Sequence, residues 1–300
     1  MAGAWSAGGN LATARFALSG GGNSQDAISI GGMDSSYNDT VITEEYNGAA
    51  WSSGGDQSSA RIYFAGRGNS SDAIVLGGID TADYQYTAKT EEYNGTAWSS
   101  GADLASARGH PAAGGNSSNA ICMGGSITDE NWEEQSLLST EEFNGTAWSG
   151  GGDLGEAINN SISGGNSSDA ICVGDLDANT KTQLYNGTAW SYGEDIAMGR
   201  EGAAGGGNSA DAIISGGIIW SPYGVTNNTE EYNGSAWAAG GNLLTARYHL
   251  AAGGNSSNAI CMGGTNSYSN ILYTATEEYS PGSEAAKIPV FMSQYRQRRT

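Results

Sequence analysis

Long apolar runs are missing from this sequence. No segment approaches the roughly 18–20 consecutive apolar residues of a membrane-spanning helix, so no membrane insertion by a helix is expected. Proline is scarce, at 4 residues, and the 48 glycines keep no every-third-residue register, which excludes a proline-rich linker and a collagen-like chain. Basic residues are few: 12 Lys and Arg stand against 32 Asp and Glu, for a formal charge of −20. They are too scattered to form the clustered cationic surface that nucleic acid requires, so no nucleic-acid partner is expected. Self-repulsion at this charge favours solubility. Cysteine is rarer still. Cys122, Cys172 and Cys261 share one recurring position, Ala-Ile-Cys, where other copies hold Ser29, Val75 and Ile214. Equivalent apolar positions read as a packing site, not as a disulfide framework or a metal cluster. The first residues show neither a charged n-region nor an apolar h-region, so the expectation is a chain made in a reducing cytoplasm without a signal peptide.

What is present is repetition. Trp5, Trp51, Trp98, Trp148, Trp190 and Trp237 recur at spacings of 46, 47, 50, 42 and 47 residues. Around them the unit reads Ala-Arg, Gly-Gly-Asn-Ser-Ser-Asp-Ala-Ile, a Gly-Gly pair, a variable stretch, and Glu-Glu-Tyr-Asn-Gly-Thr-Ala-Trp. Periods of this length belong to propeller blades of four strands, a to d. Strand a follows the arginine, as at Arg108. The Gly-Gly-Asn-Ser-Ser-Asp stretch is a turn, because Gly and Asn accept positive φ and Asp and Ser bond back to the backbone. Strand b is a short continuous apolar run such as Ala73-Ile74-Val75-Leu76, as expected where both faces are covered. Strand c is Thr90-Glu91-Glu92-Tyr93. Asn94-Gly95 then supplies a type I′ hairpin, and strand d carries Trp98.

Arg61, Gly77-Gly78, Tyr93 and Trp98 stand in the order in which the kelch family carries its strand-a arginine, double glycine, tyrosine and tryptophan. Over residues 3–279 the chain resembles that family, which implies an all-β fold, here a six-bladed kelch-like β-propeller. The short Tyr-Asn-Gly-Thr-Ala-Trp turn and the uniformity of the copies depart from the usual pattern. In repeat style the chain resembles a kelch-like branch found in bacteriophage and environmental viral structural proteins.

The two ends are complementary. Gly3-Ala4-Trp5-Ser6 is a strand d with no Glu-Glu-Tyr before it, and Thr276-Glu277-Glu278-Tyr279 is a strand c with no Trp after it. The N-terminal strand d is therefore expected to join the C-terminal strands a–c and close the ring without a bare edge. This gives a propeller over residues 1–280 and a separate tail over 281–300. The tail reverses the charge sign with Lys287, Arg296, Arg298 and Arg299 and is read as a docking segment for a protein partner or for self-assembly.

Six copies in one chain form an internal comparison. Blades 1, 2, 3, 5 and 6 carry Arg15, Arg61, Arg108, Arg200 and Arg247 together with Glu44, Glu91, Glu141, Glu230 and Glu277, each followed by a second glutamate. Blade 4 has Ile158 and Gln183-Leu184 instead. Stranding one partner of a buried pair costs about 3–5 kcal/mol, whereas replacing both is often near neutral. Joint loss therefore predicts a partly buried Arg–Glu bridge.

Strand connectivity places the near-constant a–b and c–d turns on one face. The variable b–c loops (33–42, 79–89, 126–139, 176–181, 218–228 and 265–275) lie on the other, beside the d–a connections. These loops hold Tyr37, Tyr84, Tyr86, Trp132, Trp220, Tyr223, Tyr268 and Tyr273, which are read as ligand contacts for a glycan or a protein, or else as packing of their own loops. No cofactor is expected, with calcium as the weaker alternative. The stretch Asp175-Leu176-Asp177-Ala178-Asn179 begins like a calcium loop but lacks its glycine and distal glutamate. His110 and His249 both follow the repeat arginine by two residues, a structural placement. Kelch-type copper oxidases need Tyr and His ligands around the axis, which makes that chemistry a distant third reading. The leading expectation is a non-enzymatic binding or structural module, a virion or appendage protein whose variable face looks outward. The alternative is a soluble lectin-like or adaptor propeller.

Overall fold

The computed structural model describes residues 3–128, 133–174, 179–220, 222–266 and 271–282. The described residues contain strands and turns but no helix. Each repeat is a four-stranded antiparallel sheet in the order a-b-c-d. Repeat 2, for example, runs Ala65–Gly68, Ala73–Leu76, Thr90–Tyr93 and Trp98–Ser100. In repeat 6 the fourth strand comes from the other end of the chain. Ala4–Ala7 pairs with Thr276–Ser280 in the register Ala4↔Ser280 and Trp5↔Tyr279.

The apolar run of each b strand is buried throughout, and only the leading Asp26 and Asp169 of repeats 1 and 4 are half-buried. Their side chains pack between neighbouring sheets: Ile28 and Ile30 of repeat 1 meet Phe64, Val75 and Tyr93 of repeat 2 in one cluster. Each such side chain contributes about 1.5–3 kcal/mol relative to exposure. The repeat tryptophan ties sheets together through its indole N–H. Trp51 donates to Thr276 (2.8 Å), Trp98 to Thr43 (2.9 Å), Trp190 to Thr140 (3.1 Å), Trp237 to Thr182 (3.0 Å) and Trp5 to Thr229 (3.0 Å), each in the preceding repeat. The a strands lie innermost. Ser19–Asn23 is flanked by Ala65–Gly68 and Ala251–Gly253, and the other a strands neighbour one another in sequence order, so six sheets gather about one axis. The architecture is all-β and propeller-like.

Two details differ from the sequence reading. Strand a begins about four residues after the arginine (Ser19 after Arg15), because the residue two places beyond the arginine turns the backbone out of the extended region. Three b–c loops also form small hairpins of their own. These pair Ile79–Asp80 with Gln85–Tyr86, Ser126–Thr128 with Glu134–Ser136, and Ile218–Trp220 with Tyr223–Val225.

Candidate functional site

The expected ion pairs are present and buried. Arg15 meets Glu44 at 2.9 Å and Arg247 meets Glu277 at 3.0 Å, and Arg61–Glu91, Arg108–Glu141 and Arg200–Glu230 repeat the contact. The first glutamate of each pair takes the arginine. Its second oxygen accepts a backbone N–H, for instance from Ala12 to Glu44 and from Ser58 to Glu91. Burial lowers the guanidinium pKa of Arg15, Arg61 and Arg200, and the paired glutamates oppose that shift. In repeats 1, 3, 5 and 6 the first glycine of the strand-b pair holds positive φ and offers its carbonyl to the arginine, as Gly124 does to Arg108 (3.0 Å). The second glutamate turns to the next repeat. Glu45 accepts from the Tyr93 hydroxyl, Glu142 from Tyr185, Glu231 from Tyr279 and Glu278 from Tyr46. These groups are architecture.

The face bearing the b–c loops exposes aromatic rings. Tyr84 is 71% exposed, and Trp220 and Tyr223, 55% and 57% exposed, face each other across their hairpin with ring centroids 5.5 Å apart. Tyr86 is half-buried over Gly109, and Tyr273 is half-buried, its hydroxyl pKa raised by burial. Trp132 and Tyr268 lie outside the described residues, as do Arg296, Arg298 and Arg299 of the tail and residues 175–178 of the calcium-loop stretch. Of the predicted aromatics among the described residues, Tyr37 alone reaches the axis, packing edge-on against Phe16 at 5.6 Å.

There it helps to line a cavity of ≈ 380 Å³ with Phe16, Tyr63, Phe64 and His249. Tyr63 stacks on His110 at 4.0 Å and Phe16 lies parallel to His249 at 6.4 Å. The mouth draws on one repeat position, two residues after the arginine or, in repeat 4, after Ile158: Ala17, Tyr63, Asn160, Gly202 and His249 line it, and the sixth member, His110, backs Tyr63. All six hold left-handed backbone, with φ between 50° and 61°. For non-glycine residues this costs on the order of 1 kcal/mol each. It is held by hydrogen bonds between repeats: Ala17 N–H donates to His249 O (2.9 Å), His249 N–H to Gly202 O (2.7 Å), His110 N–H to Tyr63 O (2.8 Å) and Asn160 N–H to His110 O (2.9 Å). The Nδ1 atoms of His110 and His249 are buried without a hydrogen-bond partner. Burial lowers both imidazole pKa values, that of His249 to about 4, so both are neutral near pH 7.

Below this cavity a chamber of ≈ 90 Å³, sharing Leu18, Ala203 and Leu250 with it, leads to Arg67. Arg67 stands in strand a where the other five repeats have Gly21, Gly114, Gly164, Gly206 and Gly253. A Cβ at those five glycines would come within 2.3–2.7 Å of the next repeat's carbonyl oxygen. The one side chain admitted crosses the axis. Its Nε donates to Ala113 O (3.0 Å), Nη1 to Gly20 O (3.1 Å) and Ala252 O (2.9 Å), and Nη2 to Ser163 O (2.7 Å). Four other repeats are thereby joined to one guanidinium, and no carboxylate among the described residues pairs with it. Burial lowers its pKa to about 10. Sequence reasoning missed Tyr63, Phe16 and Arg67. The available signal was a single arginine in a column of glycines.

The opposite face carries a polar funnel of ≈ 450 Å³ lined by the a–b turns of all six repeats. Adjacent turns are stitched together. Asp26, Asp72, Asp169 and Asp211 accept the N–H of Ser70, Ser117, Ser209 and Ser256 at 3.0–3.1 Å, and Asn119 O and Asn258 O accept from Ser167 and Ser24. Near-constant turn sequence on this face thus serves assembly of the sheets.

No family model and no curated protein sequence matches the chain. A solved structure described as "Structure of YjhT" is similar in fold, with a TM-score of 0.70 over 89% of this chain and 95% of that one. Sequence identity is 11%, so this likeness shows the all-β propeller-like fold and nothing finer.

Proposed function

We propose that the chain is a six-bladed, kelch-like β-propeller, its ring closed by the N-terminal strand d, that works as a non-enzymatic binding or structural module. Closure is supported by the Ala4–Ala7 pairing with Thr276–Ser280 and by the bond from Gly264 N–H to Arg15 O (2.9 Å), which links repeat 6 to repeat 1. The observation that carries the function is the segregation of aromatics. Exposed Tyr37, Tyr84, Trp220 and Tyr223 all lie on the face of variable loops, while the opposite face is occupied with stitching its own turns. Exposed aromatics on loops held by a rigid scaffold suit glycan or protein recognition. Repeat style favours a virion or appendage protein over a soluble lectin-like or adaptor propeller, with the basic tail as the attachment segment.

Glycan-array binding and proteomics of particles purified from the native source test this reading. Binding is expected to fall at least about tenfold in Trp220→Ala/Tyr223→Ala, a loss of 1.4 kcal/mol or more. It should survive Thr96→Ala and Thr146→Ala on the constant face. Loss in the constant-face variants with retention in the aromatic ones would reverse the faces. Detection of the chain in particles would support the virion assignment, and its absence would favour the soluble one.

A further inference from the structure

We propose that the axial cavity on the b–c face is a site for a small organic acid, with a flat apolar body between Phe16, Tyr63 and His249 and a carboxylate directed down the axis toward Arg67. This site is separate from the loop aromatics invoked above and does not depend on them.

Three observations converge on it. The cavity, ≈ 380 Å³, falls in the range of roughly 300–1,000 Å³ typical of small-molecule sites, and its wall is aromatic. Polar side chains in its lining are few, namely Tyr37, Tyr63, Asn160 and His249. Its inner end leads through the ≈ 90 Å³ chamber to a buried guanidinium that no carboxylate among the described residues neutralises.

Arg67 differs from the five repeat arginines in its partners. Each of those is matched by a glutamate, although each also donates to backbone carbonyls, as Arg15 does to Gly31 O and Ile42 O. Arg67 has carbonyls and Ser163 alone. An anion approaching in a low-dielectric channel gains far more from such a charge than one in water. The histidines are neutral, so charge selection falls to Arg67. The polar funnel on the other face also leads to Arg67, through glycine backbone, but Asp72 and Asp211 line its entrance and disfavour an anion from that side.

Isothermal titration calorimetry on the full chain tests the proposal with matched pairs: indole-3-acetate against indole-3-acetamide, and benzoate against benzamide. The acid of at least one pair is expected to bind about tenfold or more tighter than its amide, a difference of 1.4 kcal/mol. Arg67→Gly, which installs the residue the other five repeats hold, should erase that preference, and Arg67→Lys should keep part of it. Tyr63→Ala should weaken acid and amide alike. Thermal melting establishes that each variant is folded; if Arg67→Gly is not, the wild-type acid–amide comparison decides the matter with Arg67→Lys. Equal affinity for acid and amide, a preference that survives Arg67→Gly, or no binding by any of the four probes would overturn the proposal. None of these results bears on recognition by Trp220 and Tyr223, which the loop variants test separately.

Discussion

Repeat 4 and repeat 3 solve one packing problem in two ways. In repeat 3, Arg108 is buried against Glu141, whose other oxygen accepts the Ala105 N–H (2.7 Å). In repeat 4, Ile158 is buried among Leu154 and Met123, and Gln183 accepts the N–H groups of Gly155 (2.7 Å) and Glu156 (3.2 Å) while donating back to Glu156 O (3.2 Å). The glutamate therefore has two separable roles, to neutralise the arginine and to cap a turn of the d–a connection. Gln183 keeps the second role and needs no cation. A similar contrast runs between sheets. Phe143 leaves Glu92 without the tyrosine hydroxyl its counterparts receive, and burial raises the pKa of that carboxyl. At the next such site Leu184 replaces the glutamate and packs against the cluster containing Tyr232. Polar members can be exchanged when the set remains satisfied.

The largest expected effect comes from breaking the set. Arg108→Ile alone should lower stability by about 3–5 kcal/mol, because Glu141 is left charged and buried. Adding Glu141→Gln, which copies repeat 4, should recover much of that loss in denaturant titration. A coupling energy below about 0.5 kcal/mol would mean the pair does not act as a unit. The reverse graft sharpens the comparison: Ile158→Arg should destabilise alone and be partly rescued by Gln183→Glu.

A smaller effect separates repeat 6 from repeat 4 at the cavity mouth. His249 is neutral in the fold down to about pH 4, whereas its ordinary value is 6.5. The unfolded chain therefore binds the extra proton first, and stability is lost as pH falls from about 6.5 to about 4. With its partial solvent access, about 1–2 kcal/mol is expected from this group. His249→Asn, matching Asn160, should flatten that part of the pH profile; an unchanged slope would mean that His249 does not carry it. The smallest effect is Phe143→Tyr. A new hydroxyl reaching Glu92 should add about 0.5–1.5 kcal/mol, measured by chemical denaturation. No gain, or a loss, would show that the sheet 2–3 contact has adapted to phenylalanine.

These contrasts explain what was legible in the sequence. Strands b and c and the Arg–Glu bridges were readable because repetition exposes which positions change together. The partner of the second glutamate was not, because Tyr93 meets Glu45 only after two sheets are set side by side. Arg67 and Tyr63 were hidden for the opposite reason. Each occurs once, in a column otherwise held by other residues, and acquires a role only where six innermost strands converge. The Ser126–Thr128 and Ile218–Trp220 hairpins escaped notice because the b–c loops share no common pattern from copy to copy.

The proposed ring closure rests on the first strand completing the last sheet. Ala4 and Ser280 are exposed and directly opposed in that pairing, so Ala4→Cys/Ser280→Cys offers a direct probe. Under mild oxidation at low protein concentration, the ring predicts an intramolecular disulfide in the monomer, seen by mass spectrometry of a proteolytic digest as the N-terminal and C-terminal strand peptides joined. Peptides that remain separate, or a bond that forms only between two chains, would contradict it.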